Sequence, residues 1–315
     1  MRLLGSAVSA SRKVQSSLSS ALPRALVTGF HMSASEPEMQ FHEIKDRESG
    51  KTRRLAYQKL SGHRTHGLIF IPGFMSHKGG RKASGLLSFC QKHGFPYLRY
   101  DPSGLGESQG VSMTDTRFSL WLEDANEMLL KVADSPQIVV CSSMGCWLTS
   151  HLLQMHPEKV AGILMLAPGV NFHVRYEKAL QSKLPPELLK KYEEGGVVPL
   201  FTDHGEFPLS KAFFGDMEKF TLNMEPNKLP VSVPVRIIHG MKDKDVDYTE
   251  SLPLLNTLGT EDVQLTYLKH AGHRLSDEQS LEVIYDAILR LASEVDKKAR
   301  LCGRGGDGGT VDPTV

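Results

Sequence analysis

Short runs of consecutive apolar residues recur along the middle of the chain, and stretches with a helical spacing of apolar positions separate them. In the runs 68–71, 138–141 and 163–167 every position is apolar. Such continuity is typical of a strand inside a sheet that is covered on both faces. The pattern predicts seven strands, at Leu55–Leu60, Gly67–Ile71, Tyr97–Asp101, Gln137–Cys141, Gly162–Ala167, Val235–His239 and Val263–Leu268.

Helical patterns alternate with these strands. They predict helices at about Lys82–His93, Phe118–Val132, Gly145–Met155, Glu250–Leu258 and Asp277–Val295. This alternation favours right-handed crossovers, and therefore an α/β fold with a mostly parallel, twisted sheet and helices on both faces. Catalytic groups of such folds lie on loops beyond the carboxyl ends of the strands, so those loops hold the candidate site.

One stretch, at about 170–233, interrupts the alternation. It has helical patterns at Lys178–Glu194 and Leu209–Asn223 and no pattern of a buried strand. A single crossover needs far fewer residues, so the stretch predicts a helical cap over the site, with ordinary crossover helices as the alternative. Its large apolar side chains are candidates for an apolar groove or for ordinary core: Phe172, Leu180, Leu184, Phe201, Phe213 and Phe214.

The run 138–145 passes from an apolar strand directly into an apolar helical pattern. This strand–turn–helix context is typical of a nucleophile elbow, in which small residues lie two positions before and after the nucleophile. Ser143 has Cys141 and Gly145 at these positions, whereas Ser142 would place Val140 and Met144 there. Ser143 is therefore the predicted nucleophile, and a serine that only caps the helix is the alternative.

A serine nucleophile needs a base and an orienting carboxylate, and in this architecture the chain order is Ser, acid, His. The turn after the strand at 235–239 predicts Asp243 as the acid, with Asp245 the runner-up and Asp247 less favoured. After the last strand, His273 is the predicted base because Gly272 lets the chain bend before the final helix. His270 is the alternative there, and His239 is expected to brace the acid loop.

Two main-chain amides are expected to hold the oxyanion of an acyl-transfer reaction. One belongs to Met144, directly after the nucleophile, and the other to Phe74, in the loop after the strand at 67–71. The segment Arg99–Ser108 contains two glycines, but the dinucleotide-binding spacing fails because residue 109 is Gln. It is predicted to be a structural turn in which Asp101 and Ser103 bond loop amides.

Composition narrows the function class. Lys and Arg total 37 against 36 Asp and Glu, so nothing favours nucleic acid as a partner. Four cysteines without zinc-site spacing fit a reducing compartment, and those at 141 and 146 are expected to be small core residues. The apolar runs are too short for a transmembrane segment. Serine hydrolysis of this kind uses no metal or organic cofactor, and we expect none.

The two ends of the chain differ from the middle. Residues 1–35 contain nine serines, four basic residues and no acid, a composition typical of a mitochondrial transit peptide, with a disordered tail as the alternative. The start predicts a mitochondrial location, in the matrix. Residues 298–315 are glycine-rich near the end and are predicted to be a disordered tail. The hydrolase domain is predicted to span 40–297.

The chain resembles the α/β-hydrolase superfamily at Ser143, Asp243 and His273 and in the loops described above, over about residues 50 to 297. Further strings, together with the transit-like start, resemble a family of mitochondrial acyl-protein thioesterases: Leu55–Tyr57, Ile69–Gly73, Ser142–Gly145, Pro157–Val160 and His239–Asp243. Cys141 stands where the family pattern has Gly. The resemblance implies S-depalmitoylation of protein cysteines and hydrolysis of drug acyl-glucuronides such as that of mycophenolic acid.

The expected substrates are thus acylated protein cysteines, small acyl esters or acyl-glucuronides, cleaved through an acyl-enzyme. Two other classes stay open from sequence. One is a different hydrolase, namely a general carboxylesterase, a lipase-like enzyme or a carbon–carbon-bond hydrolase. The other is a non-catalytic binding protein on the same fold, because a fold alone does not confer function.

Overall fold

The computed structural model describes residues 36–45, 50–134, 136–202 and 205–304. The predicted transit peptide at 1–35 and the last part of the predicted tail lie outside the described residues. Within the described part of the chain, no helix is both long enough and apolar enough to cross a membrane.

The described strands are Met39–Lys45 (β1), Thr52–Leu60 (β2), Gly67–Ile71 (β3), Tyr97–Tyr100 (β4), Gln137–Ser142 (β5), Val160–Leu166 (β6), Val198–Thr202 (β7), Gly205–Leu209 (β8), Val235–Gly240 (β9) and Val263–Leu268 (β10). Eight of them form one sheet in the order β1-β2-β4-β3-β5-β6-β9-β10. From β4 to β10 all neighbours are parallel, whereas β2 is antiparallel to both β1 and β4. This arrangement confirms the prediction of a mostly parallel sheet.

Helices cover both faces of the sheet. Alternate residues of β5 enter two separate apolar clusters: Val139 and Cys141 pack on one face, and Ile138 and Val140 on the other. A strand buried on both sides needs an apolar residue at every position, which its sequence supplies. The described helices are Arg81–His93 (α1), Phe118–Glu127 (α2, continued by a π-helical turn at Met128–Val132), Met144–Met155 (α3), His173–Gln181 (α4), Pro186–Glu193 (α5), Lys211–Glu218 (α6), Ser251–Thr257 (α7) and Glu278–Arg304 (α8).

The segment between β6 and β9 contains α4, α5, α6 and an antiparallel hairpin of β7 and β8. The prediction of purely helical and loop material here was therefore wrong. Each hairpin strand contains a proline, and Pro199 pairs with Pro208. Proline removes a ladder donor and is confined to strand edges, so the sequence pattern argued against strands. The helix predicted at 178–194 is also divided in two, at Pro185 and Pro186.

Two further boundaries differ from the sequence predictions. The edge strand β1 was not predicted, because it is mostly exposed and lacks a continuous apolar run. Helix α8 continues to Arg304, so the disordered tail predicted from 298 begins too early. Residues 305–315 lie outside the described residues.

Candidate active site

Four of the five predicted site residues lie in loops or turns at the carboxyl edge of the sheet, and the fifth, Met144, is the first residue of α3. Ser143 and Met144 follow β5, Phe74 follows β3, Asp243 follows β9 and His273 follows β10. Because these four strands lie within one parallel set, their carboxyl ends meet at the same edge. The fold therefore brings together residues that are up to 199 positions apart in the chain.

The turn at Ser143 has the strained main chain of a sharp elbow. Its φ is 54° and its ψ is −122°, a region that L-residues with a side chain rarely adopt. Neighbouring glycines make the turn possible: a Cβ on Gly145 would lie 2.4 Å from the carbonyl oxygen of Ile71, and one on Gly73 would lie 3.0 Å from Cβ of Ser143. The strain directs the Ser143 side chain towards the loops after β9 and β10.

Cys141, which stands where the superfamily pattern has Gly, is accommodated in the core. Its side chain is fully buried, and its Sγ lies 3.6 Å from the carbonyl oxygen of Leu164 on β6. Cys146 is also fully buried, and burial raises the pKa of its thiol well above the usual value. Both cysteines are core residues, as predicted, and the raised pKa makes Cys146 a poor nucleophile.

Three side chains form a continuous line of hydrogen bonds. Oγ of Ser143 lies 3.0 Å from Nε2 of His273, and Nδ1 of the same ring lies 2.7 Å from Oδ2 of Asp243. With Asp243 ionised, Nδ1 must carry the proton, so Nε2 has a free lone pair to accept the Ser143 hydroxyl proton. The arrangement can thus deprotonate Ser143 without any movement of the ring.

Asp243 is held as a carboxylate. Burial acts to raise its pKa, but hydrogen bonds from His239 and His273 outweigh this effect and hold the pKa of Asp243 well below its usual range. Oδ1 accepts from the amides of Asp245 and Val246 at 2.8 and 2.9 Å. The side chain therefore accepts four hydrogen bonds while fully buried.

His239 contacts the same carboxylate oxygen as His273. Its Nε2 lies 3.0 Å from Oδ2 of Asp243, and its Nδ1 lies 2.7 Å from Oγ of Ser251 at the start of α7. The sequence predicted that His239 supports the acid loop, but it did not indicate this direct contact with Asp243. The ring is fully buried, so it fixes Asp243 from the side opposite to solvent.

The alternative residues make other contacts. Asp247 accepts hydrogen bonds from the amide and hydroxyl of Thr249, and His270 faces Ser280 and Asp277 at the start of α8. Asp245 lies closer to the hydrogen-bonded side chains than Asp247 and His270 do. Its carboxylate, with Asp243 and His273, forms a group whose ligand atoms lie within 4.8 Å of one another. Such a group can hold a cation, but Asp243 and His273 already bond each other along the line to Ser143.

The loop that carries Phe74 is anchored by a buried ion pair. Oδ1 of Asp101 accepts from the amide of Lys78 at 2.7 Å, and Oδ2 accepts from Nζ of Lys78 at 2.6 Å and from the amide of Glu107 at 2.8 Å. These contacts confirm that Asp101 bonds loop amides. Ser103 differs from the prediction, because its own amide and hydroxyl donate to Asp124.

A cavity of about 490 Å³ opens at Ser143. Large apolar side chains from the segment between β6 and β9 line one part of it: Phe172, Leu180, Leu200, Leu209, Phe213 and Phe214. Leu184 and Phe201, also predicted for a groove, are not among the lining residues. Basic residues line another part, including Lys82, whose ammonium donates to the carbonyl of Arg274 at 2.5 Å. Burial lowers the pKa of Lys82 to about 8.

Comparison with known proteins finds a matching family and several similar proteins. Residues 63–196 match the family described as serine aminopeptidase, S33. Over 237 residues the chain is 34% identical to the Homo sapiens protein named palmitoyl-protein thioesterase ABHD10, mitochondrial, covering 74% of this chain and 75% of the human one. The Pongo abelii protein of the same name is equally similar, at 34% identity over 237 residues.

Solved structures show the same relationship. Mouse α/β hydrolase domain-containing protein 10 matches with a TM-score of 0.70 and 31% identity, covering 81% of this chain and 99% of the mouse chain. A putative hydrolase from Agrobacterium vitis S4 matches with a TM-score of 0.72 and 25% identity over the same shares of the two chains. The chain therefore belongs to the ABHD10 family of α/β-hydrolases.

Proposed function

We propose that this hydrolase cleaves long-chain acyl thioesters of protein cysteines, and acyl esters such as acyl-glucuronides, with Ser143, His273 and Asp243 as its catalytic triad. The observation that carries the proposal is the line of hydrogen bonds from Ser143 through His273 to the buried Asp243 carboxylate. The name of the human and Pongo abelii relatives supports palmitoyl thioesters as the substrate class.

The first half of the reaction forms an acyl-enzyme. Nε2 of His273 takes the hydroxyl proton as Oγ of Ser143 attacks the acyl carbonyl carbon. The amides of Phe74 and Met144 receive the oxyanion, a contribution that is typically worth about 100- to 1000-fold in rate per donor. The carbon–sulfur or carbon–oxygen bond then breaks, and His273 gives its proton to the leaving thiolate or alcohol.

The second half releases the acid. Water loses a proton to Nε2 of His273 and attacks the acyl carbon, and Ser143 regains its proton when the acyl–oxygen bond breaks. Asp243 accepts from Nδ1 throughout, which keeps the ring in the required tautomer and stabilises its charged form. The original Ser143 proton leaves with the thiol or alcohol, and a proton from water replaces it, so the triad is restored.

The segment at about 170–233 acts as a cap that binds the acyl chain. Its side chains Phe213 and Phe214 are buried and line the cavity at Ser143, together with Leu200 and Leu209 from the hairpin. Removing an acyl chain from water onto such a surface contributes about 0.8 kcal/mol for each CH₂ group that is buried. Long acyl chains should therefore bind more tightly than acetyl groups.

The mitochondrial location of the relatives, given in their names, supports the same location for this protein. The acid-free, serine-rich start at 1–35 acts as the transit peptide, and its removal leaves the hydrolase domain in the matrix. A fusion of residues 1–40 to a fluorescent reporter tests this point: import into mitochondria supports it, and a diffuse cytosolic signal contradicts it.

Turnover of a matched substrate panel tests the proposed chemistry. The panel contains a peptide with an S-hexadecanoyl cysteine, the O-hexadecanoyl serine peptide, a monoacylglycerol and an acyl-glucuronide, and kcat/KM is measured for each. We expect the thioester and the acyl-glucuronide to be hydrolysed and Ser143→Ala to lose at least about 10³-fold on both. Preference for the glycerol ester would favour a lipase. No turnover by folded protein would favour a binding protein.

A further inference from the structure

The cavity at Ser143 has an uneven distribution of charge. Its basic side chains come from three separate places: the start of α1, the acid loop after β9 and the loop after β10. Among the described residues that line the cavity, they outnumber the carboxylates, of which there is one, that of Asp245. The four cations, which we call the basic wall, are Arg81, Lys82, Lys244 and Arg274.

The basic wall adjoins the residues that carry out the chemistry. Lys244 follows Asp243 directly, and Arg274 follows His273 directly. The hydrogen bond from Lys82 to the carbonyl of Arg274 ties the start of α1 to the loop after β10. Because α1 begins at Arg81 and the first residues of α1 line the cavity, the positive end of its dipole adds to the same potential.

An acyl chain, a neutral alcohol and a neutral thiol carry no charge that could pair with four nearby cations. Like charges that line one partly enclosed cavity repel each other and raise the local concentration of anions. The acyl chain is already matched by the apolar part of the cavity, so the basic wall faces the other end of the substrate, the leaving group. A leaving group with several negative charges fits cations that come from three separate elements, whereas one carboxylate can pair with one or two of them.

We propose that the site also hydrolyses fatty acyl thioesters of phosphate-bearing thiols, such as acyl-coenzyme A, and that the basic wall binds their phosphates. This inference rests on the proposed function, since it uses the same nucleophile and acyl pocket. Oγ of Ser143 forms the new ester bond, the carbon–sulfur bond breaks, and the thiolate takes the proton from His273. Water then releases the fatty acid, and no further reactant is needed.

The test is a series of decanoyl thioesters that share the acyl group and the thioester bond. Their thiols are pantetheine, 4′-phosphopantetheine and coenzyme A, which carry none, one and three phosphates. We expect kcat/KM to rise along the series by about tenfold or more at low salt, and the gain to shrink as salt screens exposed charges. Arg81→Gln together with Lys244→Gln should lower the ratio for coenzyme A over pantetheine by about 4- to 25-fold, at two- to fivefold for each exposed charge.

Lys92→Gln is the matched control. Lys92 is exposed on the same helix, about 17 Å along its axis from Arg81 at 1.5 Å for each residue, and it does not line the cavity. This variant should leave the ratio within about twofold. Equal kcat/KM for the three thioesters, or a ratio unchanged in the double variant, would overturn the inference and leave the proposed function intact. Loss of turnover on all three by folded parent protein would overturn both.

Discussion

Replacing Asp243 with asparagine tests whether the tautomer of His273 determines activity. Oδ1 of Asp243 accepts two loop amides, so the amide oxygen of asparagine retains that position and the NH₂ group takes the place of Oδ2. The NH₂ group then faces Nδ1 of His273 and Nε2 of His239, and it can only donate. His273 must therefore accept at Nδ1 and carry its proton on Nε2, where it donates to Ser143 instead of accepting from it.

The expected loss in kcat is about 10⁴-fold, the size found where a triad acid is replaced and the base is held in the wrong tautomer. This corresponds to about 5.5 kcal/mol of transition-state stabilisation. The assay follows release of free thiol from a soluble acyl thioester, with circular dichroism and the thermal midpoint as the checks on folding. KM should change little, because Asp243 does not line the cavity.

Asp245→Asn is the control. Asp245 is the other candidate for the acid, and its carboxylate lies within 4.8 Å of the ligand atoms of Asp243 and His273. This variant should lower kcat by less than about tenfold, the effect of removing one nearby charge. If Asp245→Asn costs as much as Asp243→Asn, the assignment of the acid is wrong. If Asp243→Asn keeps a tenth of the parent kcat while folded, the tautomer argument itself is refuted.

Three further changes test the packing, the pocket and the pH dependence. Gly145→Ala should lower the free energy of unfolding by about 2–4 kcal/mol, because the added Cβ meets two main-chain oxygens at 2.4 and 2.6 Å; an unchanged urea midpoint would contradict this. Phe214→Ala should lower kcat/KM for hexadecanoyl thioesters about tenfold more than for acetyl thioesters, since its ring lines the cavity; an equal loss on both would argue against an acyl pocket there. Burial raises the pKa of Asp124 to about 6, so between pH 4 and 6 the folded state binds a proton that the unfolded state lacks. Stability from this group therefore falls as pH rises through that range, and the difference between parent and Asp124→Asn in free energy of unfolding should change by about 3 kcal/mol; a constant difference would show that Asp124 is ionised throughout.

The central strands and the elbow could be predicted because their sequence pattern has one physical meaning. Strand β3 matches its predicted bounds, and β5 differs by one residue at its end, since a strand buried on both faces must be apolar throughout. Ser143 could be singled out because the crowding around Gly145 admits no larger side chain, and the structure places the Ile71 carbonyl at that point. These predictions were therefore possible because local steric limits determine which residue types can occupy such positions.

Features that depend on contacts between distant segments could not be predicted in the same way. The β7–β8 hairpin forms although each strand contains a proline, because Phe207 and Leu209 pack into the core under the helices. Nothing in the spacing of His239 indicates that its Nε2 meets the oxygen that His273 uses. The residues of the basic wall likewise come from three segments that are far apart in the chain. The total charge of the chain does not indicate them, because basic and acidic residues are nearly equal in number.

The central claim is that Ser143 is an activated nucleophile, and the intact mass of the protein after exposure to a fluorophosphonate tests it most directly. Residues 36–304 and the Ser143→Ala variant are treated side by side, with circular dichroism to show that both are folded. The account predicts one adduct on the parent and none on the variant. An adduct on both proteins would place the reactive residue elsewhere, and no adduct on folded parent would contradict a working triad.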